Sequence, residues 1–312
     1  MSQGTSPFSD LDFVRDDEPL SKYAWYRVGG PARYFVQPRN PEELAVAYAR
    51  CVSEGIDVYV LGLGANVLIA DEGVTGAVFR LDQPHFTSFE VQQTRVTAGA
   101  GYDMQKLAKH TARKGLGGLA CMCGIYGTVG GGIRMNAGGR FGEIGDTCQR
   151  VTVMQRDGNV TTLERHDLRF EYRNGNISAP FILGAEFELE DVGEAEATRE
   201  IKEVWMYKTN SQPLNARSAG CMFKNPPEGS AGKIIDEVGL KGMRLGSAEV
   251  SGKHANFILA HEGCTATDII QLMDLVQRRV LEQTGIALHG EVQRWPHATA
   301  AGEATAKAEE AA

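Results

Sequence analysis

Two glycine-rich stretches and three separate polar segments of this 312-residue chain have the residue types and spacing that chemistry requires. The first stretch reads Val60-Leu61-Gly62-Leu63-Gly64-Ala65-Asn66-Val67-Leu68-Ile69. A Rossmann dinucleotide site needs a third glycine and a helix behind the loop. Here position 67 is valine, and Val67–Ile69 reads as a second buried strand. The stretch is therefore strand–turn–strand. Bare N–H groups in such a turn can form an anion nest for a phosphate or pyrophosphate. A plain tight turn has the same letters. The second stretch runs from Gly124 to Gly139, with five glycines between positions 124 and 132. That density is foreign to an ordinary helix or strand interior. Either it lets backbone approach a flat or phosphorylated ligand, with Thr128 and Asn136 adding hydrogen bonds, or it is a buried turn where helix and sheet touch.

The polar segments each admit two readings. Arg173, in Phe170-Glu171-Tyr172-Arg173-Asn174, can fork onto a carboxylate at the end of a strand-like stretch, or it is a surface arginine in a turn. Cys221, in Ser218-Ala219-Gly220-Cys221-Met222-Phe223-Lys224-Asn225-Pro226, is a functional thiol or a small buried hydrophobe. Lys224 and Asn225 beside it supply a charge and an amide. Glu291, in His289-Gly290-Glu291-Val292, points into a cleft or to solvent. Cys121-x-Cys123 lacks a second ligand pair, and the seven histidines form no HxH or HxxxH pattern, so no metal site is expected. His254 reads as structural or as a substrate contact.

These residues must be held by regular elements. Asn40, Pro41 and two glutamates open a helix that ends at Gly55. Asp57–Leu61, Ala77–Leu81, Thr94–Ala98, Arg150–Gln155, Val160–Glu164 and Phe181–Leu189 read as strands, with a hairpin at Arg156-Asp157-Gly158-Asn159. Asp103 caps a helix that Gly115 closes. Residues 199–207 and Ala231–Val238 read as helical, and Ala255–Ala260 as a strand. Thr265 and Asp268 resemble a capping box for a helix with Ile269, Met273, Val276 and Val280 on one face, ended by Gly285. Ile286–Trp295 reads as a final strand.

Length and composition bound the rest. The chain suits two or three packed domains. A net charge of −8 without a basic run speaks against nucleic acid and anionic membrane as partners. The six cysteines fit no dense disulfide framework, and no apolar stretch approaches a membrane span. A reduced, cytoplasmic enzyme, a monomer or weak homo-oligomer, is expected. The expected organisation is a disordered lead at 1–18, one domain over 19–193 in two subdomains split near 83, a C-terminal domain over 194–296 placed at the acidic, alanine-rich shift, and a disordered tail at 297–312.

Taken together, the segments resemble the UDP-N-acetylenolpyruvoylglucosamine reductase family from Pro19 to about Trp295. The carriers are Tyr26-Arg27-Val28-Gly29-Gly30-Pro31-Ala32, the Gly62–Asn66 loop, Gly124–Gly139, Tyr172-Arg173, Ser218–Pro226 and Gly246–Ala255. The resemblance implies an α+β fold: a two-part FAD-binding domain of the vanillyl-alcohol-oxidase (PCMH) type and a C-terminal α+β substrate domain. It implies FAD as cofactor, NADPH as co-substrate and a nucleotide-sugar substrate. Arg173, Cys221 and Glu291 take the catalytic positions. Gly62, Gly64, Ala65, Asn66, Val67, Gly124, Tyr126, Gly127, Thr128, Gly130, Gly131, Asn136, Ala137 and Gly138 take cofactor positions, and Lys224, Asn225, Lys253 and His254 substrate positions. Cys221 stands where serine is commoner, Ala65 replaces a loop serine, and Tyr126 replaces a proline. The short Arg173–Cys221 interval resembles the branch without the tyrosine-bearing loop. The competing expectations are another FAD-dependent oxidase or dehydrogenase of the same fold, and a nucleotide-sugar-binding protein that has lost flavin.

Overall fold

Local capping chemistry fixes the helices. In the computed structural model, which describes residues 6–296, Asn40 accepts from Glu43 N at 2.9 Å and Pro41 fills the first position of α1 (Pro41–Glu54). Gly55 ends that helix in the left-handed region at φ 63°. Asp103 caps α2 (Met104–Ala112) through Lys106 N at 2.9 Å. Thr128 opens α3 (Val129–Arg134); α4 spans Glu194–Ser211; Ser230 opens α5 (Ala231–Glu237). α6 (Ala266–Thr284) carries the reciprocal box of Thr265 and Asp268 and ends at Gly285.

The described chain divides into two units. The first holds residues 6–16, 34–63 and 76–210; the second holds 17–33, 64–75 and 211–296. In the first, an antiparallel sheet takes the order Val160–Glu164, Cys148–Met154, Phe181–Glu188, Arg95–Gly99, Phe89–Gln92. Leu107 of α2 and Val129 and Ile133 of α3 share a core with Val96, Val151, Val153 and Phe187 of this sheet. Each such side chain contributes about 1.5–3 kcal/mol on burial. A second sheet includes residues 14–16, 34–36, 76–79 and 58–60, in that order, and Val58 faces Ala77 in a parallel pair. α1 packs Leu44, Ala47 and Cys51 into a core with Phe79, Phe86 and Phe181.

In the second unit, Arg244–Leu245, Ala248–Val250 and Ile258–Ala260 form an antiparallel sheet. α6 buries Ile269, Leu272, Met273, Val276 and Val280 with Tyr26, Leu68 and Ile235. Val67–Ile69 runs parallel to Gln293–Trp295, with Leu68 facing Arg294. Asp71 sits at the start of α6, where its carboxylate accepts from Ala266 N (2.8 Å), Thr267 N (2.9 Å) and Thr267 Oγ1 (2.7 Å). Burial works against its ionisation, but these donors hold its pKa below the ordinary carboxylate value.

Several expectations change. The lead is ordered from residue 6: Phe8 is buried, Val14–Pro19 is a strand, and Arg50 ties down Asp10. Residues 1–5 and the expected tail at 297–312 lie outside the described residues. The units replace both the boundary at 193/194 and the split near 83. α4 begins within the acidic stretch and packs Ala197 and Val204 in the first unit, while residues 17–33 and 64–75 join the second. The final strand covers only Gln293–Trp295, and the strand expected at Ala255–Ala260 covers only Ile258–Ala260. Most unexpectedly for its composition, the glycine run contains a helix: Gly130, Gly131 and Gly132 lie inside α3. Glycine costs helix stability of about 1 kcal/mol per residue. Close packing explains it: a Cβ on Gly130 would stand 2.9 Å from Ala100 Cβ, and one on Gly132 would strike Met104 Sδ.

Candidate active site

In the first unit the two glycine segments meet. Gly62 lies against Thr128, so closely that a Cβ on Gly62 would stand 2.6 Å from Thr128 Oγ1. That hydroxyl accepts from Gly131 N at 3.3 Å and opens α3. The N–H groups of Val129 and Gly130 donate to Tyr102 O (2.9 Å) and Ala100 O (2.8 Å). The start of α3 is therefore satisfied internally, and Gly130 and Gly131 offer a ligand no bare donor. Donors remain elsewhere. Among the described residues, the N–H groups of residues 62–66 and of Gly127 and Thr128 make no hydrogen bond to the chain. Most of these residues are half-buried, so the donors suit an anion that replaces water. Within the first unit, the donors of Gly62, Leu63, Gly127 and Thr128 fit a phosphate of an FAD; Gly64, Ala65 and Asn66 belong to the second unit and carry bare N–H groups of their own. Val67 differs from its neighbours, being a buried residue of the strand paired with Gln293–Trp295.

The C-terminal end of α3 positions Arg173. Gly175 N donates to Arg134 O at 2.9 Å, and Glu171 and Asn174 close the turn on each other. Arg173 itself has a φ of 57°, the left-handed region that non-glycine residues rarely adopt, and its guanidinium lies 5.0 Å from the Tyr172 ring centroid. Asn136 braces the same turn from below. It is fully buried; its Nδ2 donates to Glu171 O (3.1 Å) and to Glu143 Oε2, and its Oδ1 accepts from Gly145 N (3.2 Å). With its amide engaged this way, Asn136 supports the turn that carries Arg173. Ala137 and Gly138 follow it, half-buried, and Gly138 pairs with Glu143.

In the second unit the Cys221 and Glu291 segments are paired antiparallel. Glu291 N donates to Met222 O (2.8 Å), Lys224 N donates to His289 O (2.8 Å), and Phe223 faces Gly290. Cys221 and Glu291 therefore lie one register step apart, and both are half-buried. Asn66 joins them: its Nδ2 donates to Glu291 O at 3.4 Å and its carbonyl accepts from Gln293 N at 3.0 Å. Asn225 Oδ1 accepts from Ala231 N at 3.0 Å, which fixes the start of α5. Ser251 accepts from the N–H groups of Lys253 and His254, leaving Lys253 exposed. His254 Nδ1 accepts from Asn256 N at 3.2 Å, and burial pulls the His254 pKa down, which favours the neutral ring.

Two buried polar residues escaped sequence reasoning. Asn256, 3% exposed, accepts from Phe223 N (2.9 Å) and donates to Phe223 O (2.7 Å), while its own carbonyl accepts from Met222 N (2.9 Å). The Cys221 segment is thus held on one side by Asn256 and on the other by residues 289–291. The second is Lys208 of α4, whose Nζ donates to Cys121 O at 3.1 Å. Its signal was available: Lys208 stands four residues after buried Val204, on the same helical face.

Comparison with known proteins finds relatives over most of the chain. Residues 32–164 match an FAD binding domain, and residues 212–295 match the C-terminal domain of UDP-N-acetylenolpyruvoylglucosamine reductase. UDP-N-acetylenolpyruvoylglucosamine reductase 2 of Symbiobacterium thermophilum is 38% identical over 286 residues, which is 91% of this chain and 92% of that protein. The reductase of Azorhizobium caulinodans is 38% identical over 88% of this chain and 89% of its own. The crystal structure of the reductase from Thermus caldophilus aligns with a TM-score of 0.80 at 36% identity, over 91% of this chain and all of that one.

Proposed function

The chain belongs to the UDP-N-acetylenolpyruvoylglucosamine reductase family, and from that premise we propose that Arg173, Cys221 and Glu291 carry its chemistry, with NADPH as reductant. The fold is α+β, an FAD-binding domain of the vanillyl-alcohol-oxidase type with a C-terminal α+β domain. The protein is an FAD-dependent oxidoreductase of peptidoglycan precursor synthesis, reducing the enolpyruvyl ether of UDP-N-acetylglucosamine to UDP-N-acetylmuramate.

Bound FAD supplies the hydride, drawn from NADPH and delivered to the vinyl terminus of the substrate. The chain's residues manage the charge and the proton that follow. Negative charge grows on the carbon bearing the carboxylate, and a guanidinium on that carboxylate is worth most when the charge is largest; this is the part given to Arg173. Glu291 orients a donor or water beside the developing enol. Cys221 delivers the proton to the α-carbon. A free thiol titrates near about 8.5, so it is a far better acid than a serine hydroxyl at neutral pH. The residues 62–66 and 127–128 hold the cofactor through backbone donors, and Lys224, Asn225, Lys253 and His254 contact the nucleotide-sugar. The setting is cytoplasmic and the protein a monomer or weak homo-oligomer; no helix among the described residues is long and apolar enough to cross a membrane.

The observation that carries this reading is the pairing of the 221–225 and 289–291 segments, which brings the backbones of Cys221 and Glu291 within one residue of each other in the register. Stopped-flow absorbance tests it. Cys221→Ala leaves bleaching of the yellow enzyme by NADPH intact and slows recovery of colour with substrate by about 10²-fold or more. Cys221→Ser retains substantial activity. Equal damage to both half-reactions in Cys221→Ala removes the proton-donor role.

A further inference from the structure

Of the eighteen residues of α4, only Ala197, Val204 and Lys208 are buried. A lysine in that company is anomalous. Its side chain is 8% exposed, and an ammonium has three protons to donate. Among the described residues, its one hydrogen-bond partner is the carbonyl of Cys121, and it forms no ion pair with a carboxylate. A buried cation with neither countercharge nor full hydrogen bonding is unfavourable unless something outside the chain completes it.

The location says what that something is. The lysine stem passes against Gly124, where a Cβ would stand 2.7 Å from Lys208 Cδ; Gly124 also has a φ of 74°. Glycine at 124 is therefore what lets the stem reach its place beneath the glycine run. We infer that Lys208 is the counter-charge of the bound FAD, matched to the negative charge that two-electron reduction places on the pyrimidine end of the isoalloxazine ring. This rests on the assignment of FAD to the backbone donors of Gly127 and Thr128, three and four residues beyond Gly124, given under the proposed function. The pyrophosphate already has the backbone donors of Gly62 and Leu63, so the ammonium serves the other charged part of the cofactor.

The charged surroundings agree. Burial holds the Lys208 pKa down to about 8, and the Arg173 guanidinium also opposes its charge; the Cys121 and Cys123 thiols beside it are themselves kept protonated by burial. Lys109 faces Cys123, and Asp146 faces Cys121. An added negative charge therefore raises the lysine's pKa, and reduction of the flavin draws a proton onto it.

The test is a dye-equilibrated redox titration of the FAD-loaded protein between about pH 6 and about pH 9, alongside FAD dissociation measurements, on wild type, Lys208→Met and Lys208→Arg. Lys208→Met keeps its affinity for oxidised FAD but loses at least tenfold in preference for reduced FAD, a midpoint about 30 mV more negative. The wild-type potential steepens above about pH 8, where the lysine takes up its proton on reduction, and neither variant shows that break. Lys208→Arg restores the midpoint. A variant that loses FAD affinity at an unchanged midpoint assigns the lysine to the pyrophosphate and overturns the inference. Unchanged affinity and midpoint in Lys208→Met reduce it to a brace for the Cys121 carbonyl and overturn it equally. Wild-type protein that takes up no FAD at all overturns instead the cofactor placement on which the inference stands.

Discussion

Replacing Asn256 tests how the Cys221 segment is held. Its side-chain amide is the partner of both backbone groups of Phe223, and Phe223 is itself 2% exposed. Asn256→Ala leaves one buried N–H and one buried carbonyl unsatisfied, each costing about 1–3 kcal/mol. The sum is about 4 kcal/mol, large beside a typical total of about 5–15 kcal/mol. Asn256→Asp keeps the shape but loses the donor to Phe223 O unless the carboxyl is protonated. Burial and that facing carbonyl raise its folded pKa above the unfolded value near about 3.9. A raised carboxyl pKa means the folded state binds the proton more tightly. The Asp variant is therefore at its best at acid pH and loses stability as pH rises through the folded pKa. Urea unfolding followed by tryptophan emission reads this well, because Trp25 and Trp295 both lie in the second unit; Trp205→Phe removes the third tryptophan, which lies in the first. A loss below about 1 kcal/mol for Asn256→Ala, or an Asp variant equally weakened at acid and neutral pH, refutes the reasoning.

Other perturbations have definite expected outcomes. Asp71→Asn loses the charged acceptor at the start of α6 and costs about 1 kcal/mol after discounting for its solvent exposure; because its folded pKa is depressed, that contribution is present above the unfolded value and disappears as pH falls through the folded one, which urea midpoints at neutral and acid pH will show. Gly175→Ala drives a Cβ into the Ile133 carbonyl beneath the Arg173 turn and costs about 1–3 kcal/mol, seen as a lowered Tm. Gly62→Ala forces Thr128 aside and weakens FAD binding with little loss of fold, measured by flavin fluorescence on dilution. The Cys51 and Cys148 thiols, both buried and pushed up to about 12, resist alkylation at neutral pH until the protein unfolds, as peptide mass spectrometry will report.

Features decided within a few residues were legible in the sequence. The caps Asn40, Asp103 and Thr265–Asp268 and the stops Gly55 and Gly285 depend on side chains three or four positions away, and each is where the letters put it. The features that escaped depend on distant partners. Glycines inside α3 make sense only once Ala100 and Met104 are seen pressing on them. The strand Val67–Ile69 was readable, but its parallel neighbour near the C-terminus was not. Residues 6–18 look like a polar lead because five acidic letters stand among them, but Phe8, Leu11, Phe13 and Val14 pack on the core with Phe79 and Phe86, and Arg50 pairs with Asp10. Lys208 and Asn256 hid for a common reason: lysine in a polar helix and asparagine between Ala255 and Phe257 look like surface letters, and burial of a polar group is a property of the assembled core. For Arg173, Cys221 and Glu291 the residues alone left two readings each, and their proposed catalytic roles come from the resemblance carried by the ordered set of motifs.

The interleaving of the chain has a consequence for how the protein comes off the ribosome. The second unit needs Tyr26 and Val28, Leu68, and the Asp71 cap, all made early, together with α5, α6 and the closing strand, made last. Its opening pieces must wait, unassembled, through the 135 intervening residues between Thr75 and Ser211. A clone beginning at residue 212 would lack those core side chains and should be insoluble or molten, whereas a circular permutant that keeps all three stretches remains foldable.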